Sequence, residues 1–165
     1  MAKVHLEPLG IYSKKIKSLA DVPANAVVAI PNDPTNSGRA LRLLAANGLI
    51  KLKDSAGIGA TVQDISDNPK QLQIKELEAA QLPRSLDDTT LSVINGNYAI
   101  GIGLTPSKDA LVLEKAENNP YANVLTVLKG HENDAGIQKL VKLLNSPEVK
   151  KFIEDKYQGS VLPAF

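Results

Sequence analysis

The chain has 165 residues, with 19 Lys plus Arg against 18 Asp plus Glu and no cysteine. That near balance, without a long run of one sign, argues against a general nucleic-acid or membrane-surface binder, and the lack of cysteine removes disulfides, thiolate catalysis and cysteine metal sites together. No stretch of about 18 apolar residues is present to span a bilayer, and the run from Met1 to Pro8 has no apolar signal core, so the chain is expected to be soluble as written and to form one ordinary domain or one and a half small lobes.

In chain order, Val27 to Ile30 reads as a short buried strand, and Arg39 to Asn47 sets Leu41, Leu44 and Ala45 on one helical face before Gly48 as a stop. Between them the polar run from Pro31 to Gly38 is expected to be a loop, longer than the two to six residues or so of a plain connection. It faces a helix start, where unpaired N–H groups and a partial positive charge suit either a cap or an anionic ligand. Leu72 to Lys75 alternates like a half-buried strand, Leu82 to Leu86 places Pro83 at a plausible first helical position, and Leu91 to Ile94 is a third strand closed by Asn95-Gly96-Asn97. Strand, polar loop and helix start recur. That order predicts an α/β fold with a largely parallel sheet, in which ligands sit beyond the carboxyl ends of the strands. Ala110 to Glu114 and Ala122 to Leu128 are further strand candidates. Asp134 to Leu144 carries Ile137, Leu140, Val141 and Leu144 at helical spacing, and Ser146-Pro147-Glu148 is a cap and first turn for a last helix running to about Tyr157 and closed by Gly159.

Residues for covalent or metal chemistry are sparse. His5 and His131 have no partner at metal-ligand spacing and read as exposed or capping residues. Gly57-Ile58-Gly59 and Gly101-Ile102-Gly103 lack the third glycine of a dinucleotide fingerprint, no Gly-Lys-Ser/Thr phosphate loop or Gly-x-Ser-x-Gly elbow occurs, and Glu76 with Glu78 reads as a solvated strand face. The expectation is therefore no enzyme, no metal and no cofactor. What remains is a set of polar groups at strand ends: Asn32, Asn36, Arg84, Asn95, Asn97, and Asn123 following Asn119-Pro120-Tyr121. Such a set suits binding without chemistry, because an amino acid needs a guanidinium for its carboxylate and neutral acceptors for its ammonium. Arg84, after a proline in an apolar run, is open to two readings: a ligand contact, or a salt bridge to Asp87 or Asp88.

Taken together, "HLEPLGIYSKK", "AIPNDPTNSGRALRLL", "ELEAAQLPRSLDD", "INGNYA", "NPYANVL" and "SPEVKKFIEDKYQGSVLPAF" resemble the methionine-binding lipoproteins of ABC importers, the NlpA/MetQ family, over essentially the whole chain and in the family's order. The resemblance implies a type II periplasmic-binding-protein-like α/β fold, with one complete lobe plus the C-terminal return part of the other. It divides the chain into a first crossing segment at 1–9, a ligand-binding lobe at 10–118, and a return crossing with C-terminal helices at 119–165. By that likeness Arg84 takes the ligand carboxylate, Asn123 holds the amino-acid backbone, Asn36 completes the site, and Asn95, Asn97 and Tyr121 are further contacts. The implied ligand is methionine or a relative such as its sulfoxide, D-isomer or a peptide. The implied partner is an ABC permease, and the implied place is the cell envelope.

Set against that family, the sequence looks like a fragment or truncated relative, expected to be without the signal peptide, the lipid-modified cysteine and most of the first lobe. The helices from Asp134 to Tyr157 are accordingly expected to lack their sheet, with Ile137, Leu140, Val141, Leu144, Val149, Phe152 and Ile153 covered by a second copy, as a homodimer or a segment swap. Two other readings remain, a small α/β enzyme or an effector-sensing domain acting on an anionic small molecule. The first lacks a nucleophile with a positioned partner, and the second lacks a DNA-binding helix-turn-helix, so binding leads.

Overall fold

The computed structural model describes residues 2–115 and 119–165. In chain order the elements are β1 (Ala2–Leu6), β2 (Gly10–Tyr12), β3 (Val27–Pro31), α1 (Pro34–Ala46), β4 (Lys51–Leu52), β5 (Ile65–Asp67), β6 (Gln73–Leu77), α2 (Leu82–Ser85), β7 (Leu91–Ile94), α3 (Gly96–Gly101), α4 (Pro106–Asp109), β8 (Val112–Leu113), β9 (Asn123–Leu125), α5 (Ala135–Leu144), α6 (Pro147–Tyr157) and β10 (Leu162–Pro163). They fall into two compact units, one of Leu9–Glu114 and one of Met1–Pro8 with Lys115–Phe165. The boundary expected at Asn118 lies outside the described residues.

The larger unit is built on a five-stranded sheet in the order β6-β3-β7-β2-β8. Strands β6, β3 and β7 run parallel, while β2 is antiparallel to both β7 and β8, so the sheet is mixed. The pleat sends alternate side chains to opposite faces. Ile11, Val28, Ile30, Leu91 and Val93 pack on one face with Leu41 and Leu44 of α1, and Tyr12, Ala29 and Ile94 pack on the other with Leu82, Leu86 and Ala99. A separate antiparallel pair, β4 with β5, is pinned by Lys51 to Asp67 at 3.2 Å.

The polar run after β3 is not a loop. Pro31 closes β3, Asp33 is the N-cap of α1 with its carboxylate accepting from the Asn36 N–H at 2.9 Å, and Pro34 opens the helix. Proline fits the first turn because its missing N–H has no partner there anyway. Thr35 to Gly38 are weak helix formers, and packing holds them helical. A Cβ on Gly38 would stand 2.5 Å from the Ile58 carbonyl oxygen and 3.0 Å from the Ala60 nitrogen, so segment 58–60 lies directly on the helix backbone.

In the smaller unit β1 is the centre of a three-stranded antiparallel sheet, β10-β1-β9, with His5 opposite both Pro163 and Asn123. The C-terminal helices therefore do have a sheet within this chain, assembled by pairings too distant for local periodicity to reveal. Asn145, the C-cap of α5, donates to the Lys3 carbonyl at 2.8 Å, and Ser146 caps α6 by accepting from the Val149 N–H at 3.3 Å. Gln158 closes α6 in the left-handed region, followed by Gly159, also at positive φ. Among the seven apolar side chains named above, Ile153 is buried, Leu140 and Phe152 are exposed, and the other four are half-buried. The Lys156 ammonium lies over Phe152, 5.2 Å from the ring centre.

Candidate functional site

Three neighbouring parallel strands end at the same edge of the larger unit's sheet, and each leads into a segment that carries candidate residues. After β3 come Asp33 and Asn36; after β6, Arg84; after β7, Asn95 and Asn97. Asn36 is the hub. Its Nδ2 donates to both Asp33 oxygens, at 3.2 and 3.1 Å, which leaves its Oδ1 facing outward to accept from Asn95 Nδ2 at 2.9 Å. On the other side Ser37 Oγ donates to Glu76 Oε1 at 2.9 Å. The first turn of α1 is thereby bonded to the ends of both strands that flank β3.

This arrangement orients one atom in particular. With its Nδ2 committed to Asn36, Asn95 turns Oδ1 into a position that is buried and has no hydrogen-bond partner among the described residues. An acceptor withdrawn from water without a donor costs roughly 1–3 kcal/mol, and a ligand N–H or ammonium placed there removes the penalty.

Arg84 lies in α2, exposed, with no ion pair or hydrogen bond among the described residues. Neither expected alternative partner pairs with it: the Asp87 carboxylate is taken by Lys14 at 2.6 Å, and Asp88 is bonded through its backbone carbonyl, which accepts from Lys15 Nζ at 2.9 Å. The segment beneath Arg84 is held by buried hydroxyls. Ser85 Oγ lies 2.8 Å from Ser92 Oγ and donates to the Leu82 carbonyl, and Thr89 Oγ1 lies 2.9 Å from Ser92 Oγ. Under α2 and α3 lies Tyr12, its hydroxyl buried with no hydrogen-bond partner among the described residues. Burial first, and the Asp109 charge second, push its pKa up.

Asn97 is exposed on α3. Asn32 is exposed between β3 and α1. In the smaller unit Asn123 opens β9, exposed, and half-buried Tyr121 donates its N–H to Asn119 Oδ1 at 2.8 Å. Of the six candidates, Asn36 and Asn95 are bonded directly, Arg84 and Asn97 share their edge of the sheet, and Asn123 and Tyr121 belong to the other unit. The two histidines have acidic neighbours, His5 Nε2 at 3.3 Å from Glu7 and His131 Nδ1 at 2.9 Å from Asp134. No group of three or more metal-ligating side chains occurs among the described residues.

Sequence reasoning passed over Asp33 and Ser37, and read Glu76 with Glu78 as a solvated strand face rather than as a partner of Ser37. Asp-Pro ahead of a helical period is an N-cap and first-turn signature that points to Asp33. Nothing local marks Ser37 or Glu76, because their bond joins residues 39 positions apart.

Amides gathered at the carboxyl ends of parallel strands mark an α/β architecture whose strand ends are, as a general rule of such folds, where small molecules bind. The fold is shared with a nutrient-binding protein from Burkholderia cenocepacia, solved bound to methionine: the TM-score is 0.92 at 49% identity, covering 99% of this chain and 69% of that one. The D-methionine-binding lipoprotein MetQ of Escherichia coli is 47% identical over 157 residues, 94% of this chain and 58% of its own length. The methionine-binding lipoprotein MetQ of Bacillus subtilis is 46% identical over 165 residues, 97% of this chain and 60% of its own. The family model for NlpA lipoproteins matches residues 1–165, and the chain belongs to that family. It spans about three-fifths of the length of these curated relatives. The fold is of the periplasmic-binding-protein-like α/β class. No helix among the described residues is long and apolar enough to cross a membrane.

Proposed function

We propose that this chain is the ligand-holding part of a substrate-binding component of an ABC importer at the cell envelope, and that it binds methionine or a close relative without changing it covalently. The observation that carries this reading is the buried Asn95 Oδ1, aimed by the Asn36 amide and without a donor among the described residues. An amino-acid ammonium has three N–H donors and satisfies such an acceptor. At the same edge of the sheet the Arg84 guanidinium is free of acidic partners among the described residues, and a planar five-donor fork matches a ligand carboxylate bidentately. Asn97 adds an exposed amide beside them. Asn123 and Tyr121, in the smaller unit, are proposed as amino-acid contacts on the family resemblance alone, and the names of the relatives, methionine-binding and D-methionine-binding, support the ligand class. The partner proposed is the permease of such an importer. Calorimetric titration of this chain with L-methionine, D-methionine, methionine sulfoxide, a methionine-containing dipeptide and leucine tests the reading. Saturable binding of at least one methionine compound, lost about tenfold or more in Asn95→Ala, is expected. No binding of any of them by the parent protein overturns it.

A further inference from the structure

One buried charge pair in the larger unit lies apart from the proposed ligand contacts. Arg39 follows Asn36 by three residues, so it sits on nearly the same side of α1, one turn further in. It is 7% exposed, and its Nε donates to Glu114 Oε1 at 2.9 Å and Oε2 at 3.0 Å, with Nη2 also donating to Oε2. The same carboxylate accepts from the Leu9 N–H at 3.3 Å, and the Glu114 N–H donates to the Leu9 carbonyl at 2.8 Å. Leu9 and Glu114 are the first and last residues of this unit, the two points where the chain enters and leaves it.

We propose that Glu114 is a positioning residue that couples the ligand-facing first turn of α1 to both connections of the larger unit. A guanidinium gripped by two carboxylate oxygens has a fixed direction, and a buried pair of this kind tolerates the loss of neither partner. A displacement of α1 at Asn36 must therefore carry Arg39 with it. The carboxylate follows, and with it the backbone at Leu9 and at Glu114. The linkage is a contiguous set of hydrogen bonds, each named above, and it needs no long-range field. The ligand arm of its test rests on the methionine reading; the exchange arm does not.

The test is Glu114→Gln, which keeps the shape and removes the charge, read by residue-resolved amide hydrogen exchange in the free protein. Exchange is expected to rise about tenfold at Leu9 and also at Asn36 and Ser37, whose N–H groups are held by Asp33, while Ile30 in the interior strand β3 stays unchanged. A rise confined to Leu9, no rise at all, or an equal rise that includes Ile30 overturns the coupling. Methionine affinity is expected to fall about tenfold in the same variant and to stay unchanged in Asp87→Asn, which removes the exposed Lys14 pair. Unchanged affinity in Glu114→Gln overturns the proposal. If the parent binds no methionine, the ligand reading fails while the exchange measurement still decides the coupling. Should Glu114→Gln not fold, Arg39→Lys, which keeps the charge and loses the fork, takes its place with the same expected exchange pattern.

Discussion

Replacing Asn36 by alanine separates ligand binding from helix capping, because the two use different atoms. The cap bond runs from the Asn36 backbone N–H to Asp33 and survives the substitution. What is lost is the Nδ2 fork onto the Asp33 carboxylate and the acceptor for Asn95. The fork onto one carboxylate and the bond to Asn95 act as two interactions of about 1 kcal/mol or slightly less each in a half-buried position, and alanine returns about 0.5 kcal/mol as the better helix former. The net loss of stability is about 1–1.5 kcal/mol, or roughly 2–6 °C in Tm for a chain of this size. The ligand loses more. Without Asn36 the Asn95 amide is no longer oriented, so two contacts weaken together, about 2–3 kcal/mol or thirtyfold and beyond in Kd. Thermal unfolding and calorimetric titration on the same preparation give both numbers. A large drop in Tm with affinity unchanged within twofold refutes the argument and makes Asn36 a purely structural residue.

Three further outcomes are expected. Arg84→Ala weakens methionine binding about tenfold to a hundredfold, the range of a lost charged hydrogen bond, and leaves Tm within about 1 °C because the side chain has no partner among the described residues; unchanged binding removes Arg84 from the site. Gly38→Ala destabilises by about 1–3 kcal/mol in denaturant unfolding, since the collision with the backbone of Ile58 and Ala60 outweighs a helix-propensity gain of about 1 kcal/mol; a more stable variant refutes the close approach. Tyr12 resists ionisation in the folded state, so its contribution is whole below the ordinary tyrosine value near pH 10 and is lost as the pH climbs above it. Tyr12→Phe is expected to move the alkaline unfolding midpoint upward in circular dichroism, and identical midpoints refute the assignment.

The sequence marks most clearly the elements whose signals are local. Leu91 to Ile94 coincides with β7, and the Ser-Pro-Glu start with its helix to Tyr157 coincides with α6, because an apolar run and a capped amphipathic period are written in neighbouring residues. The start of α1 hides inside a polar run, since Thr35 to Gly38 look like a turn until segment 58–60 is packed against them. Strands β1 and β10 carry no usable period at all. They exist because His5 meets Pro163, a pairing across nearly the whole chain. The site divides the same way. The sequence names Asn36 and Asn95 separately, each after its own strand, but only the parallel adjacency of β3 and β7 brings their amides into contact. Arg39 with Glu114, 75 positions apart, leaves no local trace.

The joining of Leu9 to Glu114 also bears on the order in which the chain folds. Before the larger unit forms, pairing His5 with Pro163 closes a loop of about 160 residues; once Leu9 and Glu114 are bonded, the flexible span shrinks to about 50, which lowers the entropy of closure by about 1 kcal/mol. The contiguous unit needs nothing from the C-terminus to complete itself, whereas the split unit waits for its last strand. Pulse-labelled exchange during refolding should accordingly protect β3 before β1, and the reverse order contradicts this account. A nascent chain emerging N-terminus first thus has its inserted unit assembled early. That unit then serves as the clasp that brings the two distant halves of its host within reach of each other.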